Sequence, residues 1–260
     1  MVAKAKKVQV QKKGGLGKLY LGLGAVAVLA AGAFVMTGGE PKPDTFPVDP
    51  NAAPVTAEGY LMGDPNAPVE VLEWADFECP GCMQFATLTE PDVRERLVKT
   101  GQVKFRYFFF PLTEIHRSAA SAAFAAACAG DQNKFWEMHD AIYAGFNDWA
   151  MGRARDPKNV FENYAERIGV DVGTWSSCYD SDKHRATIQS HVTAGVQRGV
   201  QSTPTFVIGG TQKSGALAYD QFKAYVDSAL AKAPPRPTAP STTGDTARTM
   251  PVPARADTGR

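Results

Sequence analysis

Two cysteines complete the ten-residue stretch Glu73-Trp74-Ala75-Asp76-Phe77-Glu78-Cys79-Pro80-Gly81-Cys82. From Val69 to Trp74 the side chains alternate between apolar and polar, and two of them are β-branched, which predicts a strand. After Cys82 the apolar residues keep a helical period as far as Leu97 and Val98. The C-x-x-C pair therefore stands where a strand passes into a helix.

This position has chemical consequences for both sulfurs. Pro80 suits the first position of a helix, which leaves Cys79 beside unpaired backbone N–H groups at the positive end of the helix dipole. A thiolate is favoured there. Cys82 lies about one turn further along the helix, near enough to Cys79 for a disulfide. We therefore predict that Cys79 is the attacking sulfur and Cys82 the resolving sulfur of a redox pair.

Half of a zinc site has the same C-x-x-C spacing, so a metal site is the first alternative. The two remaining cysteines, Cys128 and Cys178, are isolated in the sequence. The histidines do not form a ligand-spaced cluster: His116, His139, His184 and His191. A redox pair is therefore preferred, and no metal is expected. A purely structural Cys79–Cys82 disulfide is the second alternative, but it would close a very short loop and stabilise little.

Charge is distributed unevenly along the 260 residues, although the net charge is only +1. Residues 1–18 contain six lysines and no acidic residue, which leaves 22 basic against 27 acidic residues in the remainder. That remainder presents no basic face of the kind that binds nucleic acid.

An uncharged run of eighteen residues, Leu19 to Met36, follows the lysines directly. It predicts a single transmembrane anchor in the cell (inner) membrane, with residues 1–18 as a basic cytoplasmic tail. A cleavable signal peptide ending near Ala31-Gly32-Ala33, and hence a secreted protein, is the alternative. The anchor is preferred because the apolar run continues past that site. Either way the domain is exported to the periplasmic side, where disulfides persist.

Two segments have compositions unlike that of a folded domain. Residues 37–57 contain five prolines and few large apolar side chains, which predicts a stiff linker. Residues 233–260 are rich in Pro, Thr, Ala and Arg and lack aromatic residues, which predicts a disordered tail. The folded domain is therefore expected to span about residues 58–232.

Within this domain the pattern predicts an α/β fold. A second strand, Val103 to Phe110, follows the cysteine helix, and the strand–helix–strand order predicts a parallel pair with a right-handed crossover. Thr205 to Ile208 and a short polar strand after Gly209-Gly210 predict a hairpin, and a helix over 219–231 closes the domain. Between the second strand and the hairpin, helices are predicted over 116–129, 132–144, 160–168, 172–179 (capped by Asp171) and 182–199.

Several motifs together resemble the DsbA-like family of thioredoxin-fold thiol:disulfide oxidoreductases. Val71 to Cys82 is similar to the family's strand and active-site segment, with proline directly after the first cysteine. Gly199 to Phe206 is similar to its cis-proline segment, and Cys128 to Trp136 to the helical insertion of its exported or membrane-anchored members. The resemblance implies a thioredoxin fold with a helical insertion, about residues 112–199, between the second strand and the cis-proline strand.

The resemblance also implies roles for particular residues. Pro204 would follow a cis peptide bond, exposing the Thr203 backbone to pair with a substrate strand. Glu73 would lie beneath the cysteines as a buried carboxylate of raised pKa that relays the proton of Cys82. From the residues alone, a trans Pro204 at a strand start and a solvent-facing Glu73 remain alternatives. Gly81 departs from the family pattern, because the best-known member has histidine there.

Two cysteines, Cys128 and Cys178, remain once Cys79 and Cys82 are paired. An even number of remaining cysteines in an exported domain predicts a second disulfide. In the chain-entropy model, closing this interval stabilises the fold by up to about 4 kcal/mol. A redox role for this pair is the alternative.

The sequence thus predicts an exported enzyme that introduces disulfides into unfolded or reduced exported proteins, with no cofactor of its own. The family implies a membrane quinone-linked thiol oxidase as the partner that reoxidises it. A reductase or an isomerase of the same fold is an alternative, as is a non-catalytic adaptor or chaperone that binds extended peptides.

Overall fold

The computed structural model describes residues 45–48 and 56–233. The basic segment, the apolar run, most of the predicted linker and all but the first residue of the predicted tail lie outside these ranges. Within them, no helix combines the length and apolar character that crossing a membrane requires.

A five-stranded mixed sheet forms the centre of the domain, in the order β1-β3-β2-β4-β5. Parallel pairing joins β2 to β3, whereas β1–β3, β2–β4 and β4–β5 are antiparallel. The strands are β1 (Tyr60–Met62), β2 (Val69–Ala75), β3 (Val103–Phe109), β4 (Thr205–Ile208) and β5 (Thr211–Ser214). The edge strand β1 was not predicted, because three residues are too few to display an alternating pattern.

The helices follow the predicted order. They are α1 (Pro80–Leu88), α2 (Glu90–Val93), α3 (Ala119–Gly130), α4 (Phe135–Ala144), α5 (Phe146–Trp149), α6 (Lys158–Arg167), α7 (Val172–Asp180), α8 (Arg185–Gln197) and α9 (Tyr219–Leu230). Helix α1 connects the parallel strands β2 and β3, and α3 to α8 form an insertion between β3 and β4. The predicted fold class, a thioredoxin fold with a helical insertion before the β4–β5 hairpin, is confirmed.

The cysteine helix differs from its prediction in one respect. It is interrupted at Thr89, and the chain continues as α2 and a π-helical segment, Arg94–Val98. Pro91 explains the interruption, because it has no N–H to continue the hydrogen-bond ladder and takes a place in the first turn of α2 instead. The short helix α5 was also not predicted, since four residues cannot display a helical period.

Two apolar clusters stabilise the domain. One lies between the sheet and the insertion and includes Trp74, Phe109 and most of the alanines of α3. The other packs α1 and α9 against the sheet, around Phe85, Phe206 and Phe222. Small residues allow close packing in the first cluster: a Cβ atom at Gly195 of α8 would lie only 2.8 Å from ring atoms of Trp74 and Phe110.

Part of the predicted linker lies against the domain. Phe46 is 9% exposed and belongs to the first apolar cluster. The amide Nε2 of Gln189, on α8, donates to the Pro47 carbonyl at 3.0 Å. The chain at 45–48 is therefore held to the helical insertion.

Candidate active site

The two cysteines of the C-x-x-C motif differ in exposure. Cys79 is the residue before α1, in an extended conformation, and Pro80 occupies the first turn. Both sulfurs are free thiols; Cys79 is half-buried and Cys82 is fully buried. The backbone N–H of Asp76 donates to Cys82 Sγ at 3.4 Å. Substrate can therefore reach only the first sulfur.

Hydrogen bonds stabilise the Cys79 thiolate. The Cys82 thiol makes the largest contribution, the contact with Thr203 and the backbone amides of Cys82 and Gly81 add to it, and together they lower the pKa of Cys79 to about 5 despite burial. These amides belong to the first turn of α1, as the helix-dipole argument predicts. Cys79 is therefore largely a thiolate at neutral pH.

The pKa of Cys82 is shifted in the opposite direction. Burial raises its pKa well above the usual value, and the hydrogen bond and charge of Cys79 and the charge of Glu73 raise it further. The two sulfurs, three positions apart, are thus a stabilised thiolate and a protonated thiol.

The loop before β4 supplies the next part of the site. The peptide bond between Thr203 and Pro204 is cis. In its thiol form Cys79 donates to the Thr203 carbonyl at 3.3 Å. A Cβ atom at Gly81 would lie 3.4 Å from Pro204 Cδ and 3.8 Å from Cys79 Sγ. The structure therefore brings Cys79, Gly81, Thr203 and Pro204 into one small region.

Glu73 lies on the central strand β2, near enough to Cys82 for its charge to act on that thiol. It is paired in register with Tyr107 of β3 and Phe206 of β4 and is 2% exposed, so its side chain does not face solvent. Burial and the charge of Glu90 raise its pKa well above the usual value, while the charge of Arg94 acts in the opposite direction.

Asp76 and His116 are site residues that the sequence did not reveal. Asp76 Oδ2 accepts from the Leu112 N–H at 2.8 Å and lies 2.7 Å from His116 Nδ1. The hydrogen bond to Asp76 raises the pKa of His116, although burial opposes it, and the negative charge of Cys79 raises it further. The only signal in the sequence was a carboxylate close to the cysteines, and its partner lies forty positions away.

Glu78 joins the same loop to the helical insertion. Its two carboxylate oxygens accept from the Ser118 N–H at 2.6 Å and the Met151 N–H at 2.7 Å, and the Glu78 N–H donates to Asp76 Oδ1 at 2.7 Å. The segment before Cys79 is therefore held in place by the side chains of Asp76 and Glu78.

Cys128 and Cys178 form a disulfide between α3 and α7. In the described part of the chain, the grouping that could hold a metal consists of these two sulfurs and His184. The disulfide occupies both sulfurs, so they are not available as thiolate ligands. His191, by contrast, is a core residue: its Nδ1 accepts from the Phe109 N–H at 3.1 Å and its Nε2 lies 2.9 Å from the Glu58 carbonyl.

A dithiol at the start of α1 and a cis-proline loop beside it, on this sheet, define the class of thioredoxin-fold dithiol–disulfide exchange proteins. A family model described as Thioredoxin matches residues 56–228. The chain belongs to the thioredoxin family, and its resemblance to the DsbA-like members is confirmed.

Solved structures share this fold. DsbA1 of Wolbachia pipientis has a TM-score of 0.59 and 21% identity, over 66% of this chain and 90% of that one. Oxidised BdbD of Bacillus subtilis has a TM-score of 0.59 and 18% identity, over 69% of this chain and 100% of that one.

Some relatives of similar sequence are named as Na(+)/H(+) antiporters and others as disulfide-forming proteins. The Na(+)/H(+) antiporter NhaA 3 of Salinispora tropica is 36% identical over 191 residues, which is 74% of this chain and 27% of the antiporter. The chain thus spans about a quarter of that relative's length. The probable disulfide bond formation protein D of Bacillus anthracis is 25% identical over 179 residues, covering 66% of this chain and 78% of that protein.

Proposed function

We propose that the protein is a thiol:disulfide oxidoreductase that introduces disulfides into unfolded or reduced exported proteins. The observation that carries this proposal is the contrast between the two sulfurs, with the pKa of Cys79 lowered to about 5 and that of Cys82 raised. Stabilising the Cys79 thiolate favours the reduced protein over its disulfide. The Cys79–Cys82 disulfide is therefore a strong oxidant of other thiols.

The reaction begins with the Cys79–Cys82 disulfide. A substrate thiolate attacks Cys79 Sγ, the Cys79–Cys82 bond breaks, and Cys82 leaves as a thiolate that takes a proton from Glu73. A second substrate thiolate then attacks the substrate sulfur of the mixed disulfide, and Cys79 leaves as its stabilised thiolate. Two substrate thiols are oxidised to one disulfide, and the protein's disulfide is reduced to a dithiol.

The cis-proline loop positions the substrate. The Thr203 carbonyl lies within 3.3 Å of Cys79 Sγ, where the backbone of an extended substrate segment can pair with it. Backbone pairing is independent of side chains, which suits an enzyme that acts on many unfolded chains.

Each cycle leaves the protein reduced, so a partner must reoxidise it. We assign this step to a membrane quinone-linked thiol oxidase, the partner that family resemblance implies. Residues 19–36 would anchor the protein in the cell membrane with the domain on the periplasmic side. The Cys128–Cys178 disulfide supports an oxidising compartment, because disulfides are rare where thiols are kept reduced.

A refolding assay tests the proposal. Oxidised protein is mixed with a reduced, unfolded disulfide protein, and formation of the substrate's disulfide is followed by mass spectrometry of alkylated samples. We expect stoichiometric transfer by the wild type and none by Cys79→Ala or Cys82→Ala, because neither variant can form the Cys79–Cys82 disulfide. When Cys82→Ala is mixed instead with a substrate that already contains a disulfide, the Cys79 thiolate should attack that disulfide and be trapped in a mixed disulfide. Transfer that persists in Cys79→Ala would contradict the proposed chemistry, and binding without transfer by the wild type would support the adaptor alternative.

A further inference from the structure

A buried polar cluster lies next to the site. Glu73, Glu90 and His139 are each only 1–2% exposed. Each has a buried side-chain atom without a hydrogen-bond partner among the described residues, namely Glu73 Oε2, Glu90 Oε2 and His139 Nε2. Buried polar atoms are nearly always hydrogen-bonded, so three unpaired atoms in one cluster point to a function.

These residues are close to one another although they come from different elements. Tyr107 pairs in register with Glu73, and the His139 ring packs edge-on against the Tyr107 ring at 5.3 Å between centroids. His139 Nε2 lies 3.7 Å from Glu90 Oε2. The charge of Glu90 acts on Glu73, and the charge of Glu73 acts on Cys82, in each case raising the pKa.

The cluster reaches the surface at Asp140. His139 Nδ1 lies 2.8 Å from Asp140 Oδ1, and the Asp140 side chain is 53% exposed. Arg94 donates to Glu90 Oε1 at 2.8 Å through Nε and to Asp140 Oδ2 at 2.8 Å through Nη1, so one guanidinium holds both carboxylates in place.

The contacts of His139 suit both tautomers of its ring. Nδ1 lies 2.8 Å from Asp140 Oδ1, to which it can donate, and 3.3 Å from Arg94 Nη2, from which it can accept. Nε2 faces Glu90 Oε2 at 3.7 Å, which is longer than a hydrogen bond, and catalytic contacts are often this long before substrate binds. Because either ring nitrogen can carry the hydrogen, the ring can take up a proton at one nitrogen and release one at the other.

We propose that Glu90 and His139 form a proton path that connects Glu73 to solvent at Asp140. This inference rests on the proposed function, because Cys82 takes up a proton each time the disulfide is reduced. The Cys79–Cys82 bond breaks, the Cys82 thiolate takes the proton of Glu73, and Glu73 regains a proton through Glu90 and His139 from water at Asp140. During reoxidation the proton moves in the reverse direction. Glu90 and His139 act through Glu73 and do not touch the reacting sulfurs.

Two substitutions interrupt the path while keeping the packing. Glu90→Gln retains a side-chain oxygen for Arg94 but cannot carry a proton. His139→Phe retains a ring among the aromatic side chains of Tyr107 and its neighbours. Glu95→Gln is the matched control, because it removes an exposed carboxylate, paired with Lys99, from the helical segment that follows Glu90.

The measurement is the stopped-flow rate at which dithiothreitol reduces each oxidised variant between pH 6 and 9, with and without imidazole. We expect Glu90→Gln and His139→Phe to be slowed at least about tenfold above neutral pH, where protons are scarce, and to be partly restored by imidazole. Alkylation of Cys79 should keep its pH midpoint in both variants, and Glu95→Gln should match the wild type.

Several results would overturn the path. A wild-type rate and pH profile in either variant would do so, as would slowing that is independent of pH and insensitive to imidazole, since that indicates a structural role. If circular dichroism shows that a buried variant is unfolded, Asp140→Asn at the surface provides the same test with the same expectation. A wild type that fails to exchange with dithiothreitol would instead refute the proposed function itself.

Discussion

Cys79 and Cys82 owe their difference to their immediate surroundings rather than to their residue type. Cys79 receives hydrogen bonds from the first turn of α1, whereas Cys82 is buried and lies near Glu73. Gly81 contributes a backbone amide to the Cys79 thiolate but no side-chain donor, which limits how far it can stabilise that thiolate.

The substitution Gly81→His tests this interpretation. A Cβ atom at this position would be 3.4 Å from the nearest atom, which is ordinary van der Waals contact, so we expect the variant to fold. An imidazole near Cys79 should lower the thiolate pKa below about 5. The measurement is the pH dependence of Cys79 alkylation by iodoacetamide, with Gly81→Ala as the control. An unchanged midpoint in Gly81→His would contradict the interpretation.

At the scale of elements, the Cys128–Cys178 disulfide joins α3 to α7 and lies outside the C-x-x-C site. Replacing both cysteines with alanine should lower the free energy of unfolding by up to about 4 kcal/mol, because the closed interval of 50 residues becomes unconstrained in the unfolded chain. Thiol exchange at Cys79 should remain. Denaturant unfolding and the refolding assay measure the two effects, and loss of exchange in a folded variant would assign this pair a redox role.

His191 makes the contact between α8 and β3 sensitive to acid. Burial lowers its pKa from 6.5 to about 4, so the folded protein keeps it neutral while the unfolded chain protonates it. The stability due to a neutral His191 is therefore fully present above pH 6.5 and is lost as the pH falls towards 4.

The expected slope from this residue is up to about 1.4 kcal/mol per pH unit within that interval. Thermal unfolding of the oxidised protein measures it without the titration of Cys79. The variant His191→Asn should be less stable at pH 7 but should lose less stability on acidification. Equal losses in the two proteins would show that His191 does not determine the acid sensitivity.

Helices and strands could be predicted from the sequence where a short run of neighbouring residues shows a clear pattern. Alternation in 69–74 and 103–110 predicted two strands, the Gly209-Gly210 turn predicted a hairpin, and Asp171 caps α7 through the Thr174 N–H as expected. Contacts between distant segments could not be predicted in this way. Asp76 with His116, and Glu90 with His139, meet only after the helical insertion has packed on the sheet.

For the whole molecule, the anchor proposed within residues 1–36 would determine where the domain works. We expect the native protein to sediment with membranes and to resist extraction by carbonate, with its N-terminus in the cytoplasm, because lysines precede the apolar run. Protease accessibility in spheroplasts, with a tag at each end, measures the orientation. A soluble native form that begins near Phe34 would instead support the cleaved signal peptide.

The reduction potential of the Cys79–Cys82 pair determines whether the protein donates disulfides to its substrates or reduces them. The measurement is equilibration of the purified domain with glutathione buffers, with the thiol state read by alkylation and mass spectrometry. Because the Cys79 thiolate is stabilised, we predict a potential more oxidising than the roughly −270 mV of thioredoxin, though less so than the roughly −120 mV of DsbA, since Gly81 replaces a donor. A potential at or below about −270 mV would contradict the oxidase function and identify a reductase.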